Sequence, residues 1–370
     1  TMVGLAATGK IELVKNMVDN YASIINEYGY VPYGNRSYQQ SHSQAPYFSL
    51  MVRLLAKKDT AVMLEDYLIP MEKEYGFWMS ESEMLSNLES ARKRVVLMPH
   101  GEIMNRYWDD NQTPRPEHYA NDIYLSSKAT YDSLSVFQGI RAANESGWEF
   151  SSRWLGYTQS FATLSPMELI PVDLNCLLYH LEFTLAEAYQ HQDDGDKYQS
   201  FAIAADYRKN AINKYCWVEE ESFFVDYSFV DQFHSGIISL SGLYPLFFDI
   251  ATADQILPIV EKLETEFLQE GGLTTSLKET GQLWDAPNGY APLQFIAIKG
   301  LRNYDYSGLA DDIVYRWITL NDDVFKKTGK LLDKYNVMGA DKQPAGGAYP
   351  YQGGYGWTIG VYMWLLSGGE

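Results

Sequence analysis

Cysteine is scarce in this sequence, because only Cys176 and Cys216 occur among its 370 residues. Two cysteines form neither a disulfide framework nor a cysteine-based metal cluster. They are compatible with a reducing cytoplasm and do not exclude the periplasm. The sequence alone therefore leaves the compartment open between the cytoplasm and the periplasm, and predicts a soluble protein in either case.

Positive charge is also in short supply. Lys and Arg number 29 against 48 Asp and Glu, which gives a formal net charge of −19. A nucleic-acid partner requires a basic face, so we expect none. No apolar run approaches the length of a transmembrane helix, so we expect no membrane partner either.

The sequence lacks the common motifs for metals, phosphates and serine nucleophiles. Its 6 histidines show no HExxH spacing, and the acidic turn at 193–196 lacks the remainder of a calcium loop. The glycine-rich segment 345–357 lacks GxxxxGK[ST], and GxSxG does not occur. We therefore expect no metal and no hydrolase-type serine.

Alternation with a period of two is scarce, whereas apolar residues recur with helical spacing along most of the chain. Residues 11–28 predict a helix that ends at Gly29. Residues 60–75 predict a long helix capped by Thr60 and bent at Pro70, and residues 80–94 and 122–144 predict further helices. Pairs of helices alternate with long loops. This order predicts an all-α protein with a single domain spanning residues 1–370, built of stacked helical hairpins that can close into an (α/α) toroid.

Aromatic residues are abundant at 15%, including 29 Tyr and 9 Trp. Rings and hydroxyls suit the faces of sugars, although large helical cores also contain many aromatic residues. The segment 145–157, ESGWEFSSRWLGY, places Glu149 between Trp148 and Phe150. Apolar surroundings raise the pKa of a carboxyl group, as a general acid requires. The alternative is a surface Glu whose aromatic neighbours point inward.

Other candidates also have a structural alternative. Arg115 and Glu117 lie between prolines and could form a surface ion pair, which contributes little stability. Trp284 could be a packed ring beside a helix cap. Asp333 on its own is an acid at the end of a helix.

Several segments resemble, in order and spacing, those of the trehalase family of glycoside hydrolases. They are RYWDDNQTPRPEHY, ESGWEFSSRW, IPVDLNCLLYHLE, GGLTTSL with GQLWDAPNGYAPLQ, and GGAYPYQGGYGWT. The likeness extends from Leu5 to Trp364. It implies an (α/α)6 toroid that hydrolyses the disaccharide α,α-trehalose to two glucose molecules with inversion, without metal or cofactor, and we expect a monomer.

By position, the resemblance implies that Glu149 is the general acid and Asp333 the general base. The family has Asp for the acid and Glu for the base, so the two carboxylates are exchanged here. An inverting enzyme needs its carboxyl groups roughly 6.5–9.5 Å apart. A longer arm on one side and a shorter arm on the other could roughly preserve that gap. The implied substrate-binding residues are His42, Gln44, Arg115, Glu117, Gly147 and Trp284.

The chain departs from the family pattern at several positions. Tyr33 replaces an Asn, His42 an Arg, Ala348 an acid and Tyr290 a Trp. The family's opening signature is absent, which leads us to expect a chain incomplete at its N-terminus, since a toroid without its first helices would expose apolar faces. Two alternatives stay open: a hydrolase of a related α-glucoside with an altered pocket, and a catalytically silent sugar-binding homologue.

Overall fold

The computed structural model describes residues 1–129, 132–156, 158–339, 341–344 and 350–369, with the backbone alone at residue 162. Its α-helices are α1 (Met2–Ala7), α2 (Ile11–Tyr28), α3 (Phe48–Lys58), α4 (Leu68–Trp78), α5 (Tyr119–Ser126), α6 (Ser133–Glu145), α7 (Val172–His191), α8 (Gly195–Cys216), α9 (Tyr244–Phe247), α10 (Ala253–Lys262), α11 (Ala291–Asn303), α12 (Ser307–Thr328) and α13 (Gly356–Leu366).

The strands have two or three residues each. They are β1 (Ala91–Arg92), β2 (Val95–Leu97), β3 (Ile103–Asn105), β4 (Leu169–Ile170), β5 (Trp217–Val218), β6 (Phe223–Phe224), β7 (Tyr227–Ser228), β8 (Phe233–His234), β9 (Leu268–Gln269), β10 (Gly272–Leu273), β11 (Asn288–Gly289) and β12 (Tyr335–Asn336). All pairings are antiparallel, and the sheets have the orders β1-β2-β3, β4-β7-β8, β5-β6, β9-β10 and β11-β12.

Among the described residues, six helices form a closed inner ring. Each helix packs against the next in the order α1, α3, α7, α9, α11, α13, and α13 packs against α1. Outside this ring, α2 packs on α1 and α3, α8 packs along α7, and α12 packs along α11. The predicted all-α toroid of helical hairpins is confirmed.

The helix α2 shows how the sequence produces this arrangement. Val14, Val18 and Ile25 are fully buried and lie on one face, because residues three to four apart share a face of a helix. Gly29 then adopts φ 86°, and its backbone N–H donates to the Ile25 carbonyl at 2.7 Å. Glycine reaches this left-handed conformation without strain, so the predicted helix end is confirmed.

The prediction of one bent helix over residues 60–75 was wrong. Residues 64–67 form a 3₁₀ turn, and α4 begins at Leu68. Pro70 therefore lies in the first turn of α4, where a backbone N–H has no intrahelical partner and its loss costs nothing. Thr60 caps no helix; the Asp59 carboxylate instead accepts from the Ala61 N–H at 3.1 Å.

Two further helix predictions need correction. Residues 80–94 form a 3₁₀ turn at Ser82–Met84 and the strand β1, which pairs with β2. Residues 122–144 divide between α5 and α6, and α6 begins where Asp132 caps the N–H groups of Leu134 and Ser135. Helical spacing of apolar residues recurs in both segments, but local capping and strand pairing decide where helices begin and end.

The loops that precede the inner helices carry most of the candidate residues, whereas Arg115 and Glu117 lie before α5. His42 and Gln44 lie before α3, Trp284 lies before α11, and Asp333 lies before α13. Glu149 follows α6 in the long loop that leads to α7. Loops supported by a rigid scaffold commonly form binding sites. In the part of the chain described above, no helix is long and apolar enough to cross a bilayer.

Candidate active site

Glu149 has a hydrogen-bond donor at each of its two carboxylate oxygens. Arg115 donates from a terminal guanidinium nitrogen to Oε2 at 2.7 Å, and Tyr33 donates from its hydroxyl to Oε1 at 3.3 Å. The Glu149 side chain keeps 18% of its surface exposed, so a ligand can reach it. Its carboxyl group therefore lies in a defined orientation at the edge of the interior.

Burial raises the pKa of Glu149 above its usual value. The positive charge of Arg115 opposes this shift, followed by His118, the Tyr33 hydrogen bond and His42. The sequence argument from flanking aromatics predicted the same direction, and both rings are indeed buried, with Trp148 and Phe150 each 4% exposed. The alternative was a surface Glu whose aromatic neighbours point inward. The rings do point inward, but the Glu149 side chain is only 18% exposed and forms an ion pair with Arg115.

Arg115 is held rigidly. Its guanidinium binds Asp122 through two nitrogens, at 3.0 and 2.9 Å, and also donates to Asn144 Oδ1 at 2.9 Å. Arg115 and Asp122 are both buried. The alternative of a surface ion pair with Glu117 is therefore wrong, because the ion pairs of Arg115 are with Asp122 and Glu149.

The loop that carries Glu149 is fixed at its far end. Arg153 is buried between the rings of Trp148 and Trp154 and pairs with Asp173 and Asp226 at 2.8–3.0 Å. Asp173 lies in the first turn of α7. Arg153 thus connects this loop to the inner ring.

A second connection runs to the loop before α11. The buried Asp285 accepts hydrogen bonds from Ser151, from both the hydroxyl and the backbone N–H of Ser152, and from Ser276 and Thr280. The backbone N–H of Trp284 also donates to the Phe150 carbonyl at 3.0 Å. Hydrogen bonds therefore join the two loops.

Trp284 belongs to a stack of rings beside Glu149. It stacks on Tyr290 with centroids 3.9 Å apart and on Trp148 at 5.2 Å, and meets Trp357 edge-on at 6.1 Å. Trp284 is 7% exposed. It is thus mainly a packed ring, which is the alternative that the sequence left open, with a small accessible surface for an apolar sugar face.

Asp333 is buried and its carboxylate has two partners. Oδ2 pairs with the Lys334 ammonium at 3.0 Å, and Oδ1 accepts from the Gln352 N–H at 2.6 Å. The Trp357 indole donates to the Asp333 carbonyl at 2.8 Å. Asp333 is therefore connected to the same ring stack as Glu149, through Trp357, Trp284 and Trp148.

Tyr355 provides an electrostatic link between the two carboxylates. Burial, followed by the negative charges of Asp333 and Glu149, raises the pKa of its hydroxyl. Its ring packs on Trp357 with centroids 4.3 Å apart. Both acids therefore act on one phenol from the loop before α13.

His42 is buried against Asp109. Its Nδ1 lies 2.9 Å from Asp109 Oδ2, and Ser41 donates to that same oxygen at 2.9 Å. Within the described residues, His42 Nε2 is buried without a hydrogen-bond partner. The His42 ring contacts Tyr33, with centroids 4.8 Å apart. His42 thus packs on the ring of Tyr33, whose hydroxyl is bonded to Glu149.

The remaining candidates have fewer contacts. Gln44 is exposed, and its amide donates to the Tyr33 carbonyl at 2.6 Å. Gly147 is exposed with φ 77°, a conformation that favours glycine, and a Cβ there would meet no atom within 4 Å. Glu117 is exposed and affects Arg115 only through its charge. Ala348 lies outside the described residues.

Two cavities adjoin these groups. Tyr33 and Gln44 line a cavity of about 710 Å³. A second, apolar cavity of about 530 Å³ is lined by Tyr47, Tyr244 and Trp357. Trp357, which lines this cavity, also donates a hydrogen bond to the Asp333 carbonyl. The described residues contain no group of three or more His, Cys, Asp or Glu that could hold a metal ion.

Sequence reasoning missed the residues that orient the candidates. Asp122 and Asn144 hold Arg115, Lys334 and Gln352 hold Asp333, and Tyr33 was noted only as a replacement. Asn144 directly precedes the segment ESGWEFSSRW, Lys334 directly follows Asp333, and Gln352 lies within GGAYPYQGGYGWT, which is a weak signal. Asp122 gave none, because its contacts with Arg115 form only in the folded chain.

Comparison with known proteins gives a consistent result. A family model described as "Trehalase" matches residues 1–368. The periplasmic trehalase of Escherichia coli is 39% identical over 370 residues, which are 99% of this chain and 65% of that protein. The periplasmic trehalase of Shigella flexneri gives the same values. The chain thus spans slightly less than two thirds of these relatives' length.

Solved structures have the same fold. The neutral trehalase of Saccharomyces cerevisiae superposes with a TM-score of 0.77 at 24% identity, covering 99% of this chain and 69% of that one. A mannosylglycerate hydrolase of Thermus thermophilus superposes with a TM-score of 0.63 at 12% identity, covering 99% of this chain and 92% of that one. At these identities the likeness concerns the fold.

Proposed function

Because the chain belongs to the trehalase family, we propose that it hydrolyses α,α-trehalose to two glucose molecules with inversion, using Glu149 as general acid and Asp333 as general base. The observation that carries this proposal is the Glu149 carboxyl, held between Arg115 and Tyr33 with a raised pKa. The names of the relatives concern trehalose and the periplasm, and the periplasm is one of the two compartments that the sequence left open.

The environment of Glu149 suits proton donation. The raised pKa favours the protonated form of the Glu149 carboxyl, which is the form that a general acid needs. The proton moves from Glu149 to the glycosidic oxygen while the bond from that oxygen to the anomeric carbon breaks. Arg115 then faces the newly formed carboxylate at 2.7 Å and stabilises its charge.

The contacts of Asp333 support its proposed role as the base. A carboxylate has about four lone-pair sites, and the contacts with Lys334 and Gln352 occupy two of them. The others can hold a water. As that water attacks the anomeric carbon, its proton passes to Asp333. The ion pair with Lys334 orients the carboxylate without consuming its remaining acceptor sites.

The substrate contacts follow from the same geometry. Arg115 donates to the Glu149 carboxylate, Trp284 stacks on Trp148 beside it, and Gln44 and Gly147 are exposed. Glu117 adds an exposed carboxylate near Arg115. These groups would bind sugar hydroxyls and one apolar sugar face, which is how proteins commonly hold glucose.

Glucose release from trehalose tests the proposal directly. We expect release by the purified chain, its loss in Glu149→Gln, and retention in Glu168→Gln, whose carboxyl pKa is also raised by burial away from the site. Attack with inversion makes one β-glucose, while the departing sugar remains α-glucose, so early proton NMR should show both anomers in equal amounts. Unchanged activity in Glu149→Gln would refute its role.

A second candidate is hydrolysis of a related α-glucoside. It is favoured by Tyr33 and His42, which replace a family Asn and Arg and lie together next to Glu149. A higher kcat/KM on another α-linked disaccharide than on trehalose would support this second hypothesis. Sugar binding by a folded chain with no turnover of any α-glucoside would select the silent homologue instead.

A further inference from the structure

The two oxygens of Glu149 have different partners, and the difference determines where its proton resides. Oε2 accepts from the Arg115 guanidinium at 2.7 Å. A guanidinium only donates hydrogen bonds and stays charged, so Oε2 must act as an acceptor toward it. When Glu149 is protonated, its proton is therefore favoured on Oε1, whose partner is the Tyr33 hydroxyl at 3.3 Å.

A phenol can stay bonded to both forms of this carboxyl. Its oxygen accepts from the O–H of the acid, and its own O–H donates to the carboxylate once the proton has left. Burial, followed by the charge of Glu149, raises the pKa of Tyr33, so the phenol keeps its own proton. The polar groups around the Tyr33 hydroxyl are Glu149, Asn144 and Arg115.

The backbone holds Tyr33 in this place. Its N–H donates to the His42 carbonyl at 3.0 Å, and its carbonyl accepts from the Gln44 amide at 2.6 Å. The neighbouring residues Pro32 and Ser43 form an antiparallel bridge. The Tyr33 ring then packs on His42, whose imidazole is fixed by Asp109. The hydroxyl is thus supported from two loop segments.

We propose that Tyr33 is a positioning residue for the general acid: its hydroxyl keeps the transferable proton on Oε1 of Glu149 before catalysis and stabilises the carboxylate after transfer. This inference rests on the proposed role of Glu149. By the resemblance, Tyr33 lies where the trehalase family has an asparagine. No proton is lost from Tyr33 in the cycle; the proton that moves is that of Glu149.

The test is the titration of Glu149 in Tyr33→Phe, which keeps the ring and removes the hydroxyl. Loss of a donor to the charged form raises the pKa of a carboxyl group, so we expect an upward shift of about half to one pH unit. Carbon-13 NMR of chain labelled at the Glu carboxyl carbons measures it, with the Glu149 signal assigned from its absence in Glu149→Gln. The remaining groups that face Glu149 are Arg115, His118, His42 and Tyr355, and all are unchanged in this variant.

The alkaline limb of kcat/KM should move in the same direction. A general acid must be protonated, so activity falls as pH rises through its pKa and persists to higher pH in Tyr33→Phe. The matched control is Tyr30→Phe, which removes a half-buried hydroxyl of the same loop that donates to the Gln40 carbonyl and not to Glu149. In this control, the NMR titration of Glu149 and the pH dependence of kcat/KM should both match those of the unmodified chain.

A second variant covers the case in which Tyr33→Phe does not fold. Replacing Tyr33 by 3-fluorotyrosine keeps the size and makes the hydroxyl a stronger donor, so the Glu149 titration should move to lower pH. A Glu149 titration that coincides with that of the unmodified chain in a folded variant would overturn the inference. A shifted titration without turnover of any sugar would support the role of Tyr33 and refute the proposed function instead.

Discussion

At the residue scale, Glu74 is a buried acid that serves no proposed catalytic step. It lies on α4, is 1% exposed, and its Oε2 has no hydrogen-bond partner within the described residues. Burial raises its pKa to about 8. The folded protein therefore keeps Glu74 protonated under conditions in which the unfolded chain ionises it.

This raised pKa predicts a stability that depends on pH. The contribution of Glu74 is fully present below the unfolded value of 4.5 and is lost as pH rises through about 8. Within that window, each pH unit lowers the free energy of unfolding by at most about 1.4 kcal/mol. In Glu74→Gln, the urea midpoint should fall less between pH 5 and pH 9 than in the unmodified chain.

Glu72 provides the control on the same helix. It is part of an ion pair with Lys197, and its pKa is lowered, so it is ionised throughout that range. Glu72→Gln should shift the midpoint by a similar small amount at both pH values. An equal pH dependence in Glu74→Gln and in the unmodified chain would show that Glu74 is ionised in the folded state.

At the scale of elements, the catalytic proposal depends on two loops that are joined through Asp285. This carboxylate accepts from Ser151 at 3.0 Å and from the Ser152 N–H at 2.8 Å, two and three residues beyond Glu149. Burial raises the pKa of Asp285, although its hydrogen bonds with Thr280, Ser152 and Ser276 oppose the shift. The loop before α11 thus supports the backbone just beyond Glu149.

We therefore predict that Asp285→Asn lowers kcat/KM by about 10–100-fold, because a displacement of about 1 Å at a catalytic group has an effect of that size. Steady-state kinetics of the folded variant measure this. Since Asp285 acts through Glu149, adding Asp285→Asn to Glu149→Gln should cause little further loss. The exposed Asp254→Asn is the control, and a fully additive double variant would contradict the coupling.

At the scale of the whole molecule, the ring closes where α1 meets α13. A Cβ at Gly4 would lie 2.4 Å from the Gly360 carbonyl oxygen and 2.7 Å from its Cα. Both contacts are with backbone, which cannot move aside as a side chain can. The close approach of these helices joins residues near the two ends of the chain.

Gly4→Ala should therefore destabilise the protein by about 1–3 kcal/mol, the usual cost of overpacking. We also propose that residues 1–370 form one domain. The variant should therefore lower the midpoint temperature of a single thermal transition and should not divide it into two. Gly76→Ala is the matched control: it lies exposed on α4 with nothing within 4 Å, and Ala there should stabilise by about 0.5–1 kcal/mol. Calorimetry measures both, and a separate early transition in Gly4→Ala would contradict the single domain.

The sequence by itself determined the helical class, the end of α2 at Gly29 and the segments that resemble the trehalase family. These features depend on local spacing, on the conformational freedom of glycine and on short motifs, which are present in the unfolded chain. It also predicted the direction of the pKa shift of Glu149, since the flanking rings are sequence neighbours.

Only the tertiary structure decided which groups hold those residues. Arg115 is 7 residues from Asp122, 29 from Asn144 and 34 from Glu149, and Tyr33 is 116 from Glu149. No spacing rule connects positions so far apart. The burial that raises the pKa of Glu149 and the packing that makes Trp284 part of a ring stack arise when the inner helices close, because desolvation and ring contacts depend on the whole chain.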